Sequence, residues 1–185
     1  MLLLIGIFVT ILVVFFLLLY WGFFNKIIRM ENRIDNSWAQ IDVQLKRRAD
    51  LIPNLIEAVK GYMTHEKQVL ENVTKARSAL INAKTPQENI DADNMLTGAL
   101  KSLFAVAESY PDLKANQNFL NLQDELTNTE NKVAYSRQHY NDSVLMYNNT
   151  IETFPGLWFA KKMGKKTRDM LQVPEEDREV PKVKF

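Results

Sequence analysis

FFNKIIRMENRIDNSWAQIDVQLKRRADLIPNL, residues 23–55, decides the fold. It leads from an uncharged apolar run into charged sequence with no glycine, proline or turn cluster before Pro53. Within it Ile27, Met30, Ile34, Trp38, Ile41 and Leu45 recur at spacings of 3, 4, 4, 3 and 4. Such a series forms one narrow apolar stripe along a helix, with charge on the other faces. Residues 26–49 are therefore expected to continue, as one stalk-like helix, whatever helix precedes them. At Pro53 the amide hydrogen is missing and the ring crowds the carbonyl of Ala49. Two arrangements fit: a kink in one long helix, or a new helix with Asp50 as N-cap and Pro53 in its donor-free first turn. No loop-like residues flank the proline, which favours the kink.

Upstream, Met1 to Asn25 holds no charged side chain, and Lys26 is the first. At about 1.5 Å per residue this run spans roughly 36 Å as a helix, against about 30 Å for a bilayer's hydrocarbon core. A cleaved signal peptide needs a basic start, a shorter apolar stretch and a small-residue cleavage site, none of which is present. The run reads as an uncleaved single-pass transmembrane anchor. Tyr20, Trp21, Phe23 and Phe24 sit where an aromatic belt meets the headgroups. Lys26, Arg29 and Arg33 follow within roughly ten residues, and the positive-inside rule then keeps the remainder cytoplasmic and Met1 outside. The expected location is a cytoplasmic (inner) membrane, crossed once.

The remaining ~160 residues make one domain's worth of chain. The net charge of +1 gives no bulk attraction to nucleic acid. Cysteine is absent, which excludes disulfides, thiolate metal sites and a cysteine nucleophile. Residues 54–83 carry a heptad-like seam through Leu55, Val59, Tyr62, Val69, Val73, Ala76 and Leu80, ended by a polar loop at 83–89. A short helix is expected over about 94–108, with Leu96, Leu100 and Leu103 inward. A turn at Ser109–Asp112 follows, then a long helix to about residue 152, stopped by Phe154-Pro155-Gly156. The expected fold is all-α: a transmembrane helix continuing into an antiparallel, up-and-down helical bundle of about four segments, the first kinked near Pro53. In domain terms this is an anchor at 1–25, a helical bundle at 26–156 and a basic, then acidic, C-terminal tail at 157–185.

Two blocks have a familial look. One is Ile41-Asp42-Val43-Gln44-Leu45-Lys46-Arg47-Arg48-Ala49-Asp50-Leu51-Ile52-Pro53-Asn54-Leu55, extending to Ala76-Arg77. The other is Glu108-Ser109-Tyr110-Pro111-Asp112-Leu113-Lys114-Ala115-Asn116, extending through Asp124-Glu125, Arg137, Tyr147-Asn148 and Phe154-Pro155-Gly156. Together with the anchor and the Val183-Lys184-Phe185 ending, they closely resemble the LemA family over nearly the whole chain. The resemblance implies a bacterial membrane protein with an external N-terminus and a cytoplasmic helical bundle. It implies no activity. Members are linked to membrane-associated assemblies, including magnetosome formation, which points towards scaffolding.

Catalytic patterns are hard to find. His65-Glu66 begins an HExxH-like series, but Val69 stands where the second histidine belongs. The Glu-x-x-His pattern of di-iron bundles fails too, since Tyr62 precedes His65 and Ser136 precedes His139. No metal or cofactor is expected. Asp124, Glu125 and Glu130 could do acid–base work if buried together; ion pairs with Arg77 or Arg137 are the simpler expectation. Lys46, Arg47 and Arg48 fan around a helix, as intrabundle ion-pair donors do. Asparagine is a poor interior helix former, yet Asn116, Asn118, Asn121 and Asn128 all fall on the last long helix with Asn131, Asn141, Asn148 and Asn149. They fit either buried polar layers that fix helix register or a polar surface for another copy or a partner. Trp158, Phe159, Lys161, Lys162, Lys165, Lys166 and Arg168 form a basic, aromatic segment suited to an anionic membrane surface. The expected function is a non-enzymatic, membrane-anchored scaffold or adaptor that forms a homo-oligomer and organises membrane-protein partners in the lipid bilayer, without nucleic acid. The alternative is an accessory factor regulating a membrane enzyme such as a protease.

Overall fold

The computed structural model describes residues 1–63 and 65–172. Among the described residues there are six helices and no strand: α1 (Leu2–Lys60), α2 (Lys67–Asn82), α3 (Pro86–Ala107), α4 (Pro111–Lys114), α5 (Gln117–Glu152) and α6 (Gly156–Lys162). The all-α reading holds. α1 runs through Pro53 without restarting, so Asp50 is not an N-cap. The expected tail pattern at Val180, Val183 and Phe185 lies outside the described residues.

The chain divides into two units. The first comprises Met1–Ser37 with His139–Met170, the second Trp38–Gln138 with the described residues from Leu171. In the first unit the apolar run is exposed along its length, as a segment surrounded by lipid should be. Past it Ile27 and Ile34 are buried, as are Tyr140, Val144, Tyr147 and Ile151 on α5. In the second unit the core is built from Ile41, Leu45, Ile52, Leu55 and Val59 of α1, Val73, Ala76 and Leu80 of α2, Ile90, Leu96, Leu100 and Leu103 of α3, and Phe119, Leu126 and Val133 of α5. These are the helical spacings that the sequence displays, now facing one another.

Two expectations are corrected. The seam over 54–83 is not one helix. It breaks between Lys60 and Lys67, where the amides of Tyr62 and Met63 both turn back to the Val59 carbonyl at 3.0 and 2.9 Å. Met63 is buried instead of Tyr62, and Tyr110 donates its hydroxyl to Glu66 to hold the turn. The second correction concerns 83–89. Only its start is loop, because α3 begins at Pro86 with Thr85 as N-cap. The Thr85 hydroxyl accepts from the Glu88 amide at 3.2 Å, and the Glu88 carboxylate accepts from the amides of Lys84 (2.8 Å) and Thr85 (3.3 Å). This is a capping box with proline in the first turn, where a missing donor costs nothing.

These amides, Lys84 first, hold the Glu88 carboxyl below its ordinary value. A carboxyl depressed by folding adds stability above its unfolded value and loses it as pH falls through the folded one. Acid is therefore expected to fray the start of α3. Thr85→Ala should lower the unfolding free energy by about 1 kcal/mol in denaturant titrations at neutral pH. With the cap gone, the acid-induced loss of helix at that end should move to higher pH.

Candidate functional site

In the first unit, α6 lies on the part of α1 where the apolar run ends. Phe159 is buried, its ring stacked on Phe23 at 5.0 Å between centroids and 5.9 Å from Tyr20. Trp158 stands edge-on to Phe159 at 4.9 Å and is exposed. The Lys162 ammonium lies over both Tyr20 (5.8 Å) and Trp158 (5.5 Å), and Lys26 lies over Phe23 at 6.0 Å. Cations held on aromatic faces in this way keep their charge while covering apolar surface.

The segment after α6 is tied down by specific bonds. Lys165 pairs with Glu31 at 2.5 Å. The Tyr147 hydroxyl donates to the Lys166 carbonyl at 3.1 Å. Asn148 holds the backbone of Arg168 from both sides, accepting from its amide and donating to its carbonyl, each at 2.9 Å. Burial, and then the Glu31 charge, push the Tyr147 phenol above its ordinary value, so it stays protonated and remains a donor. Of the basic–aromatic residues expected at a membrane surface, Trp158, Lys161, Lys162, Lys166 and Arg168 are exposed, Lys165 is half-buried and Phe159 forms the seat. Lys26, Arg29 and Arg33 are exposed, and Arg29 donates to the Asn25 carbonyl.

The same unit holds a pairing that sequence reasoning missed. Ser37 Oγ lies 3.0 Å from His139 Nδ1 and 3.3 Å from Ser143 Oγ. A Ser–His contact resembles a nucleophile and its base. Here, however, Ser37 and Ser143 are buried, and each hydroxyl reaches a backbone carbonyl, Arg33 and His139 respectively, at 2.8 Å. No substrate reaches such an oxygen. The group is a polar packing layer.

The second unit contains a buried ionic cluster carried by α1, α3 and α5. Arg48, fully buried, donates to Asp93 (2.6 Å), Thr97 (3.0 Å) and Glu130 (3.2 Å). Arg137 donates to the other Asp93 oxygen (2.5 Å) and to Asn94 (3.2 Å). Charge-assisted bonds of this kind fix geometry strongly. The three carboxylates considered for acid–base work are not brought together: Glu130 serves Arg48, Glu125 pairs with Arg47 at 2.7 Å, and Asp124 is exposed. Arg77 donates to the Ala49 carbonyl rather than to an acid. Asp93 carried no motif in the sequence, and only its helical register beside Ile90 and Leu96 marked it as inward. Among the described residues no group of three or more His, Asp or Glu side chains is placed to hold a metal.

The asparagines separate by role. Asn116 lies before α5 and caps it, its side-chain oxygen accepting from the amides of Asn118 (2.9 Å) and Phe119 (3.2 Å). Asn118, Asn121 and Asn128 are exposed, as are Asn131 and Asn149. The buried polar positions of α5 are instead Thr129, Ser136 and Ser143.

An exposed apolar helix with an aromatic–basic collar, joined in sequence to an all-helical core, defines a membrane-associated helical protein. Residues 37–185 match the LemA family. The chain belongs to that family. It is 29% identical over 167 residues to Protein LemA of Metamycoplasma hominis, covering 88% of this chain and 75% of that one. It is 21% identical to Magnetosome protein MamQ of Magnetospirillum gryphiswaldense over 76% of this chain and 61% of that one. A Magnetosome protein MamQ 2 of Paramagnetospirillum magneticum is 20% identical over 80% of this chain. The chain spans 64% of the length of that protein.

Proposed function

We propose that this protein is a non-enzymatic scaffold or adaptor, anchored by one transmembrane helix, that self-associates and organises partner proteins at the cytoplasmic face of a bacterial inner membrane. The observation that supports it most is the outer face of α5. Gln117, Asn121, Asp124, Asn128, Asn131, Tyr135 and Gln138, all in the second unit, alternate at spacings of four and three, and all are exposed. Tyr135 is 72% exposed, unusual for an aromatic side chain with no functional reason to face water. Four-and-three spacing is that of any outward helix face, and this one is polar, so the contact it supports is a polar surface for another copy or a partner and not an apolar heptad seam. Magnetosome proteins among the relatives are consistent with an assembly role. The exposed Lys26, Arg29 and Arg33 at the end of the apolar run favour a cytoplasmic core by the positive-inside rule.

Because the chain has no cysteine, one substitution can test both parts. Tyr135→Cys in native membranes is expected to crosslink to a second copy and to be shielded from a membrane-impermeant maleimide until the cells are permeabilised. Adding Asn121→Glu and Asn128→Glu should weaken self-association by at least about ten-fold in mass photometry, through like charges set opposite one another. A protein that stays monomeric at all concentrations sinks self-association, and labelling in intact spheroplasts sinks the orientation.

A further inference from the structure

In the first unit a groove of about 420 Å³ opens between α1 and α6, lined by Val13, Phe16, Leu17, Tyr20, Trp158, Phe159 and Lys162. Its size falls within the roughly 300–1,000 Å³ of small-molecule sites. Its walls differ sharply along its length. From Tyr20 to Val13 it follows the uncharged run inward by about 10 Å along the helix axis, and beyond Tyr20 the α1 wall (Val13, Phe16 and Leu17) offers only hydrocarbon and aromatic carbon. At its mouth stands the Lys162 ammonium, above two ring faces, with no carboxylate partner among the described residues. Lys165, three residues on, is paired with Glu31 instead.

We propose that this groove binds one anionic phospholipid of the adjoining leaflet, its phosphate at Lys162 and one acyl chain against Val13, Phe16 and Leu17. The proposal rests on the reading of Met1–Asn25 as a membrane-spanning segment. Three observations select this occupant. The apolar walls lie within a segment whose surroundings are hydrocarbon, so an acyl chain fills them without displacing water. The mouth carries the positive charge of Lys162, so an anionic headgroup is preferred over a zwitterionic one. Trp158 adds an indole N–H, the donor that tryptophan commonly presents at headgroup depth. The Phe23–Phe159 stack fixes the two walls with respect to each other, so the groove is preformed.

The full chain, reconstituted in nanodiscs of equal phosphatidylcholine and phosphatidylglycerol and released into native mass spectrometry, is expected to retain one phosphatidylglycerol in preference to phosphatidylcholine. Lys162→Gln should reduce that preference about five-fold, the effect of about one basic residue at an anionic surface. Lys161→Gln makes the same charge change on an exposed side chain outside the groove and should leave the preference nearly intact. Equal losses in the two variants mean a diffuse basic surface and overturn the proposal, as does equal retention of both lipids by the unaltered protein. A dimer that retains no lipid overturns it in favour of a second copy in the groove. Resistance of the unaltered protein to alkaline carbonate extraction tests the anchor separately. If the protein stays in the bilayer without lipid preference, only the lipid site falls. If it washes out, the anchor falls with it.

Discussion

Asp93→Asn is expected to destabilise the second unit by about 3–5 kcal/mol, the usual penalty for leaving a buried charge without its partner. Asp93 is 3% exposed in its side chain and bridges Arg48 (1%) and Arg137 (18%), one oxygen to each. Asparagine keeps the shape but removes the charge, and its amide nitrogen points donors at a guanidinium that has only donors to offer. Arg48 has nowhere to turn, since its Nε is already buried without a partner and its remaining acid, Glu130, is 44% exposed and weakly held in water. The contrast is Arg47→Ala. That pair with Glu125 is 49% and 46% exposed, and losing it should cost less than about 1 kcal/mol. Denaturant unfolding followed by far-ultraviolet circular dichroism in detergent would measure both. A cost for Asp93→Asn no larger than that for Arg47→Ala would remove the cluster from its place as the clasp of α1, α3 and α5. The double change Arg48→Met with Asp93→Leu should recover part of the loss, because hydrophobic replacement of a buried pair is often neutral, while Arg137, 18% exposed, still loses its carboxylate.

Much of this was legible from periodicity. The stripe from Ile27 to Leu45 reads as helix because its spacings repeat, and Ile27, Ile34, Ile41 and Leu45 are buried, with Met30 and Trp38 half-buried. The break after Lys60 was not legible, because a single glycine inside an apolar period is compatible with a continuing helix, and only the burial of Met63 and the Tyr110–Glu66 bond, both long-range facts, decide otherwise. The start of α3 could have been read. Thr85-Pro86-Gln87-Glu88 is a capping-box sequence with proline at the first helical position, and the polar composition around it masked that signal. Asp93 was hidden for a different reason. A buried carboxylate looks in sequence like any solvated one, and its two arginines lie 45 positions before it and 44 after it. The asparagines show the limit of propensity as a guide. It marks Asn116 and Asn148 as needing an explanation, but only the structure separates a cap, a backbone clamp and an exposed face.

Gly156→Ala is expected to loosen α6 from the end of α5, at a cost of about 3 kcal/mol, the upper part of the range for overpacking. The reason is space, not backbone dihedrals. A Cβ at Gly156 would sit 2.0 Å from the Thr150 carbonyl oxygen and 3.1 Å from its carbon. Those are backbone atoms in the last turns of a long helix, so they cannot swing aside as the tip of a lysine would. Gly156 is also buried and starts α6, so any shift is transmitted to Trp158, Phe159 and Lys162 within two turns. The variant should therefore weaken the Phe23–Phe159 stack and reduce lipid preference, although it changes no residue that lines the groove. Gly98→Ala provides the opposite sign. It lies inside α3, exposed, with open space where its Cβ would go, so alanine there should stabilise by roughly 0.5–1 kcal/mol through helix propensity alone. Thermal unfolding of the two variants side by side separates the effects. If Gly156→Ala melts at or above the unaltered protein, α6 is not seated by close approach to Thr150, and the preformed groove loses its support. If it melts lower while Lys162→Gln does not, the seat and the lipid contact are independent: one holds α6 in place, and the other uses the place so made.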